Sequence, residues 1–446
     1  MAKWLEHSIG VAPQTSGFGT PNVTDADFRY LQVDKPKVTF TSKVTELALT
    51  TGRIGAAPER IPGIRSGTVT ILVPGEAFKA LYAPATENPG DTGVVPFWLA
   101  LIGNVLGSQN ALATTAAEFW KGKHLSNSEY TAGGVASATS TSVTVDDSTA
   151  SDKVLGGELV VTALSPTSTS LQIGYVKTKL AQLLTLFEAS ANTVNDAAAH
   201  VFGTSTAWLS VALLNQIPCT MRWKGENTAF CYILKDCVCT GFKLKWDAGE
   251  VPSVELMYKF FDFNIDTTLG GLEIPTYFTR LPQIIGSANG RVMLNGSTKC
   301  GLAGCELEFK VDVKEIVCHS AAQGVGGVAL LKPRISAKFS VLHDSADAVY
   351  DATGTGASAG QHIWQSWFER QTPFSIGCYV GSQVGRVFAF LIPAARLTAS
   401  PTVEDRDGEL AWGLQVEAGL YTADTSDTAE TSANSPLDSV FRLSLG

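Results

Sequence analysis

The alternation of apolar and polar residues along this chain predicts that most of it forms β-strands. Residues 306–314 place four apolar side chains between charged ones: Leu307, Phe309, Val311 and Val313. A period of two is typical of a strand with one buried face and one face in water. The same alternation occurs in four further segments: 69–73, 242–246, 254–260 and 335–341.

Two segments predict helices instead. Residues 95–105 are almost entirely apolar and have Pro96 near their start, where the missing N–H of proline does no harm. Residues 361–371 form the second candidate and, like the first, contain tryptophan. The sequence therefore predicts a mainly β protein with few helices.

The strand pattern occurs twice, in the same order. Three pairs of similar segments, at separations of 269, 270 and 158 residues, indicate this: 44–47 with 313–316, 68–72 with 338–342, and 232–234 with 390–392. Each half reads strand, long loop, strand, helix and hairpin, which predicts a duplication, with chance similarity as the alternative. The drop from 270 to 158 means that the first copy carries about 112 extra residues.

The extra residues predict a small domain of their own. Short runs of alternating residues lie between Gly, Asp and Ser turns, at 142–145, 158–161 and 171–176. This spacing favours a small β insert at about 131–205 over a disordered Ser/Thr linker.

The predicted organisation divides the chain into four segments. Its segments are an N-terminal arm at 1–30, a first domain at 31–265 that contains the insert, a linker at 266–290, and a second domain at 291–446 that ends in a C-terminal arm. The predicted fold class is two tandem β-sandwich or barrel domains, each with a flanking helix.

Composition excludes several classes of protein. A net charge of −9 argues against sequence-independent binding of nucleic acid, which requires lysine and arginine to displace phosphate counterions. No segment has the ~20 apolar residues of a membrane span, and the first residues do not resemble a secretory signal. We therefore expect a chain that is made and kept in a cytoplasm, with no membrane partner.

Candidate chemistry is sparse. The eight cysteines lack the spacing of metal ligands and are interpreted as reduced core residues, with a zinc site or a disulfide as alternatives. The pair His343 and Asp344 is interpreted as a solvated strand end rather than a catalytic pair. The acidic residues at 404–409 fit a hairpin turn better than a calcium loop. We predict no enzymatic activity, no metal and no cofactor.

Several blocks of the sequence, in order, resemble the major tail tube proteins of long, non-contractile-tailed (siphovirus-like) bacteriophages. They are residues 19–33, 37–40, 51–55, 67–71, 236–244, 249–256 and 441–446. The resemblance covers most of the chain apart from about residues 107–225. No single motif is diagnostic, and the order of the blocks carries the resemblance.

The resemblance implies a virion protein that self-assembles into stacked rings, through which DNA is ejected. With two copies per chain, three chains would form a pseudo-sixfold ring. The implied partners are other copies of the chain, tail terminator and baseplate proteins at the tube ends, and a tape measure protein and DNA passing through the lumen. The implied location is the virion tail, after assembly in the host cytoplasm.

The resemblance also implies contacts between rings, made by a long loop at residues 51–66 and its counterpart at 320–333. The candidate contact residues are Arg53, Glu59, Arg60, Arg65 and Lys332. Exposed surface ion pairs in such loops are the plainer interpretation. The competing functions are a receptor- or polysaccharide-binding β protein of a phage tail, for which nine Trp and ten Tyr would supply stacking surfaces, and a single-ring tail component of the same fold.

Overall fold

The structure is a computed structural model. It describes residues 7–31, 33–47, 59–73, 97–108, 115–121, 134–146, 154–165, 168–202, 204–209, 216–225, 231–247, 252–265, 291–299, 302–318, 324–342, 362–381, 383–384, 387–406, 408–427, 430 and 435–445.

The first part of the chain supplies four strands and two α-helices. They are β1 (His7–Pro13), β2 (Arg29–Leu31), β3 (Asp34–Leu47), β4 (Glu59–Val73), α1 (Phe97–Val105) and α2 (Ala116–Lys121), with a 3-10 turn at Asp25–Asp27. The described side chains of α1 are all buried, as expected of a helix that is apolar on every face. This confirms the first predicted helix.

The predicted insert is a separate sheet. Its strands are β5 (Val135–Thr139), β6 (Ser142–Val145), β7 (Leu159–Ala163), β8 (Gln172–Leu180), β9 (Leu183–Leu186) and β10 (His200–Phe202), in the order β10-β7-β8-β9-β6-β5. Valines and leucines at alternate positions form its own small core. The valine spacing thus marked ordered strands rather than a disordered linker.

The rest of the chain is also mostly strands. They are β11 (Ser205–Trp208), β12 (Cys219–Gly225), β13 (Cys231–Asp247), β14 (Ser253–Phe260), β15 (Asp262–Ile265), β16 (Arg291–Leu294), β17 (Ser297–Lys299), β18 (Leu302–Val317), β19 (Val325–Leu342), β20 (Phe374–Gly381), β21 (Val387–Leu397), β22 (Thr402–Arg406), β23 (Glu409–Ala418), β24 (Thr425–Ser426) and β25 (Arg442–Leu445). Helix α3 (Ile363–Arg370) confirms the second predicted helix.

All strands outside the insert, except β24, join one 18-stranded sheet that curls into a half-barrel. Strand β24 pairs instead with β8 of the insert. The mainly β fold predicted from the sequence is confirmed.

The main sheet contains two groups of strands, and each group has seven pairings that follow the same pattern as those of the other. The first group pairs β1–β2, β1–β12, β12–β13, β13–β14, β14–β4, β3–β4 and β13–β15. The second group pairs β16–β17, β16–β20, β20–β21, β21–β23, β23–β19, β18–β19 and β21–β25. Helix α1 lies between β4 and β12 in the chain, as α3 lies between β19 and β20.

The two groups meet at one antiparallel pair, β13–β18. Phe242 and Phe309 are opposite each other there, with ring centroids 5.6 Å apart, and both side chains are fully buried. We call this pair of strands the internal joint.

The insert follows α1 and α2 in the chain, but it packs on the second group. Apolar residues of β7 and β8, such as Val161 and Tyr175, share a buried cluster with Tyr379 and Leu391 of β20 and β21. Strand β24 extends the insert by pairing in parallel with β8. Strand β25 then inserts between β11 and β21.

The described residues of the two predicted long loops lie mostly in strands. Residues 59–66 belong to β4, and residues 325–333 belong to β19. The resemblance implied loops here, but each segment continues a strand beyond the end of the next strand of the sheet: β14 ends opposite Gly67, and β23 ends opposite Ser336. Because the backbone of these segments forms strand-to-strand hydrogen bonds on one side only, glycine and proline are tolerated there.

The predicted N-terminal arm is also corrected. Residues 7–13 form β1, which is paired on both sides, and Ile9 and Val11 are buried. The alternation in this strand is short, so its period of two did not stand out in the sequence. At the other end, Asp424 and Ser435 of the predicted C-terminal arm are buried as well.

Candidate functional site

Two strands at the ends of the main sheet each have one unpaired edge. Strand β3 pairs with β4 on one side, and β22 pairs with β23 on one side. On the other side, neither strand has a ladder partner among the described strands. An unpaired edge presents a row of backbone N–H and C=O groups that can bind a further strand.

Large apolar side chains are exposed along both edges. Phe40 on β3 is 41% exposed, and Val403 on β22 is 60% exposed. Leu410, which is opposite Asp405 in the β22–β23 hairpin, is also exposed. Exposed apolar residues at an open strand edge make both edges candidate surfaces for contact with another protein.

The internal joint shows how such edges pair within this chain. On its water-facing side, Lys243 lies 3.6 Å from both Glu306 and Glu308 across the β13–β18 pair, and Lys245 is opposite Glu306. Partial burial acts to lower the pKa of Lys243, but the attraction of Glu308 and its acidic neighbours outweighs burial and raises the pKa above its ordinary value. The joint therefore has lysines on β13 and glutamates on β18.

Strand β22 carries an acidic residue at its water-facing edge. The Glu404 carboxylate accepts a hydrogen bond of 2.8 Å from the Ser340 hydroxyl, reaching across β23. Gly413 leaves room for this, since a Cβ atom there would lie 2.2 Å from Glu404 Oε1. The 404–409 segment is a β-hairpin, as predicted, with Gly408 at φ +87° in its turn.

The predicted ring-contact residues are not gathered at one site. Arg53 lies outside the described residues. Glu59 and Arg60 stand in β4 opposite Leu47 and Glu46, and Arg65 donates a 3.1 Å ion-pair hydrogen bond to Asp262. Lys332 lies in β19 with a left-handed backbone (φ +51°).

Apolar residues, rather than the predicted charges, are prominent near the tip of the β18–β19 hairpin. Ile316 is 51% exposed, and Val317 is 67% exposed. The alternation ends at Glu315, and Ile316 and Val317 follow it as two adjacent apolar residues, so the period of two gave no sign of them.

Buried polar groups fasten the insert to the second group. Arg291 on β16 donates a 2.8 Å hydrogen bond to the carbonyl of Ile173 and lies over the ring of Tyr379. Ser375 donates to Glu188 at 2.9 Å. Because these side chains are buried within the fold, they serve packing rather than chemistry on a ligand.

Glu188 gives a testable pH dependence. Burial raises the pKa of Glu188 above its ordinary value of 4.5, and Ser375 and Arg291 only partly oppose this. The unfolded chain therefore loses its proton first as pH rises, so stability falls from about pH 4.5 up to the folded-state pKa. The variant Glu188→Gln cannot titrate. Its free energy of unfolding relative to the unmodified chain should rise across that window, by about 1.4 kcal/mol for each pH unit between the two pKa values.

Urea unfolding of both proteins at a series of pH values measures this difference. Asp424, whose pKa burial also raises, is present in both proteins, so its contribution cancels. A difference that stays constant from acid to neutral pH would contradict the assignment.

The cysteines and the possible metal ligands can be placed only in the described part of the chain. The described cysteines are free, and all but Cys318 are buried. Burial raises the pKa of Cys239 to about 12, which leaves the thiol protonated and unreactive. No group of three or more His, Cys, Asp or Glu side chains among the described residues is placed to hold a metal ion. The pair His343 and Asp344 lies outside these residues.

Among the described helices, none has both the length and the hydropathy needed to cross a membrane. No protein-family model and no curated protein matches the chain.

Proposed function

We propose that this protein is a structural subunit that assembles with its own copies into closed rings, which stack into a tube of the kind formed by siphovirus-like tail tube proteins. The observation that carries this proposal is the pair of unpaired edges, on β3 and β22, at the ends of one curled sheet. Because β3 and β22 each lack a ladder partner on one side among the described strands, the chain can add further copies in one direction, and a curled sheet closes the series.

The repeated strand pairings support a tandem duplication, with domains at about 31–265 and 291–446. Seven pairings recur with a helix at the same place in each, and chance does not readily produce so long a match. Strands β1 and β2 belong with the first domain by this criterion, although both begin before residue 31. The linker at 266–290 lies outside the described residues.

A duplicated chain sets the number of subunits. If each domain fills one of six positions, three chains complete the ring. Half of its joints are then internal β13–β18 pairs, and half are pairs of β22 with β3 from the next chain. Burial of the open edges and of Val403 and Phe40 provides the driving force.

The water-facing side of the sheet is the candidate lumen surface, because the other face packs on the helices and the core. It carries both signs of charge, including Lys243, Glu306, Glu308 and Lys338. Because positive and negative side chains are paired, this surface has no excess of positive charge to bind phosphate groups. DNA and a tape measure protein would therefore slide along it without being bound. Terminator and baseplate proteins would cover the ends of the tube.

Negative-stain electron microscopy of the purified protein at increasing concentration tests the proposal. We expect hollow tubes or stacked rings, with threefold end views and a sixfold-like inner wall. Sixfold rings of whole chains would overturn the duplication but not the function. Single rings that never stack would indicate a single-ring tail component instead, and particles that never form rings would contradict the proposal.

The main competing function has less support. A polysaccharide-binding surface needs exposed aromatic rings, but Trp98, Trp208 and Trp364 are buried in the core. Dispersed particles in the microscopy experiment would make a glycan-binding screen the next measurement.

A further inference from the structure

We infer that the joint between chains has a defined register in which Glu404 of one chain faces Lys37 of the next, with a charge polarity opposite to that of the internal joint. This inference rests on the proposed ring assembly. It adds the identity of the contacting residues and a mechanism that fixes the order of domains around the ring.

The ladders of the two groups give the register directly. We call residues that lie directly opposite each other on successive strands a line. One line in the first group runs through Cys239, Tyr258, Val69 and Val38. The corresponding line in the second group is Leu397, Val416, Ala337 and Leu307. Val38 of β3 therefore occupies the position that Leu307 occupies in β18, and Lys37 occupies that of Glu306.

The same comparison places β22. Leu244 of β13 is opposite Val254, and Val403 of β22 is opposite Trp412. Val254 and Trp412 are equivalent, since each lies four residues before a member of the lines above. Val403 thus corresponds to Leu244, Glu404 to Lys245 and Thr402 to Lys243.

The internal joint then predicts the external one. Inside the chain, three opposed pairs are Leu244 with Leu307, Lys245 with Glu306, and Lys243 with Glu308. Between chains, the equivalent pairs are Val403 with Val38, Glu404 with Lys37, and Thr402 with Thr39. Each pair is chemically matched: two valines on the apolar face, and opposite charges and two hydroxyls on the water-facing side.

The two joints differ in the direction of their charge. In the internal joint the lysine is on β13 and the glutamate on β18, whereas in the external joint the glutamate is on β22 and the lysine on β3. If β22 met a β18 edge, Glu404 would face Glu306. If β13 met a β3 edge, Lys245 would face Lys37. Like charges directly opposed are unfavourable, so the polarity enforces an alternating order of first and second domains.

Charge exchange tests this inference. Lys37→Glu and Glu404→Lys each place like charges across the external joint, and each should raise the critical concentration for assembly about tenfold. Lys37 is exposed, so its replacement leaves the fold intact. The double variant restores opposite charges and should assemble like the unmodified chain. Glu369→Lys, at an exposed position of α3, is the matched control and should have no effect.

An equimolar mixture of the two single variants adds information on the number of chains. Opposite charges face each other only where a Lys37→Glu chain lies next to a Glu404→Lys chain. A ring of three chains must place two chains of the same variant side by side. The mixture should therefore remain impaired, while the double variant recovers. Full recovery by the mixture would contradict a ring with an odd number of chains.

A disulfide test checks the register independently of charge. With Thr39→Cys and Thr402→Cys in one chain, oxidised glutathione should accept two electrons from the two thiols. Each external joint would then hold one disulfide, and a covalent trimer should appear on non-reducing gels. Either single variant should give no trimer. If tubes form but neither the disulfide nor the charge dependence appears, the register is wrong and the proposed function stands. If unmodified protein forms no rings, the proposed function fails as well.

Discussion

Replacing Arg442 by methionine is expected to destabilise the folded chain by about 3 to 5 kcal/mol, because it leaves a buried carboxylate without its counter-ion. Arg442 on β25 forms an ion pair with Asp424, and both side chains are fully inaccessible to solvent. Tyr421 donates a 2.6 Å hydrogen bond to the same carboxylate.

Asp424 depends on this partner for its charge. Burial raises the pKa of Asp424, while Arg442 opposes that shift. Without the guanidinium, the carboxylate must either remain charged in an apolar surrounding or take up a proton, and both alternatives cost free energy at neutral pH. The penalty should therefore diminish as the pH is lowered and Asp424 becomes protonated.

Urea unfolding measures the effect, with two controls. Arg370→Met, at an exposed position of α3, should change the free energy of unfolding by less than about 0.5 kcal/mol. The double variant Arg442→Met with Asp424→Asn removes the unpaired charge and keeps an acceptor for Tyr421. It should be more stable than Arg442→Met alone, and a double variant at least as unstable as the sum of the two singles would contradict the ion-pair account.

The second large effect is expected at the internal joint. Phe309→Ala should cost about 3 to 5 kcal/mol, since it opens a cavity at a fully buried position between the two groups of strands. Phe309 stacks on Phe242, which in turn lies 6.3 Å from the ring of Phe441. The loss would therefore affect two strands, β13 and β18, and the residue just before β25.

Phe40 provides a matched comparison, because the correspondence of the two groups that we propose gives it the position in β3 that Phe309 has in β18. Its ring contacts Tyr232 and Phe263, but it is 41% exposed. Phe40→Ala should lower the stability of the unassembled chain by only about 1 kcal/mol, yet weaken assembly. Equal stability losses in the two variants, with normal assembly of Phe40→Ala, would argue against an external joint at this edge.

Strand content was predictable because it depends on local alternation. The run from Leu307 to Val313 lies in β18 with its apolar residues inward, as the period of two required. Strand ends were not predictable where Pro62 and Gly63 interrupt the pattern, since that stretch pairs with β3 beyond the point where β14 ends. Sequence similarity aligned Thr68 with Lys338, whereas the correspondence of the two groups that we propose aligns Thr70 with Lys338.

The candidate assembly edges were beyond sequence reasoning for a different physical reason. Whether a strand lies at an edge depends on which distant segments pair, as when β14 takes its place between β4 and β13. Val403 has the same local pattern as a buried valine, and only the missing neighbour makes it exposed. The docking of the insert on the second group is likewise a long-range contact with no local sign.

The position of β25 has a consequence for the time course of folding. Thr206 on β11 and Ser444 on β25 share a hydrogen bond although they are 238 residues apart in the chain. During synthesis, β11 leaves the ribosome long before the strand that covers it, so one edge of the half-formed sheet stays open for most of translation. Contacts of such high sequence separation form slowly, and unpaired edges on nascent chains promote aggregation. Expression at low temperature or with chaperones should therefore raise the yield of assembly-competent protein.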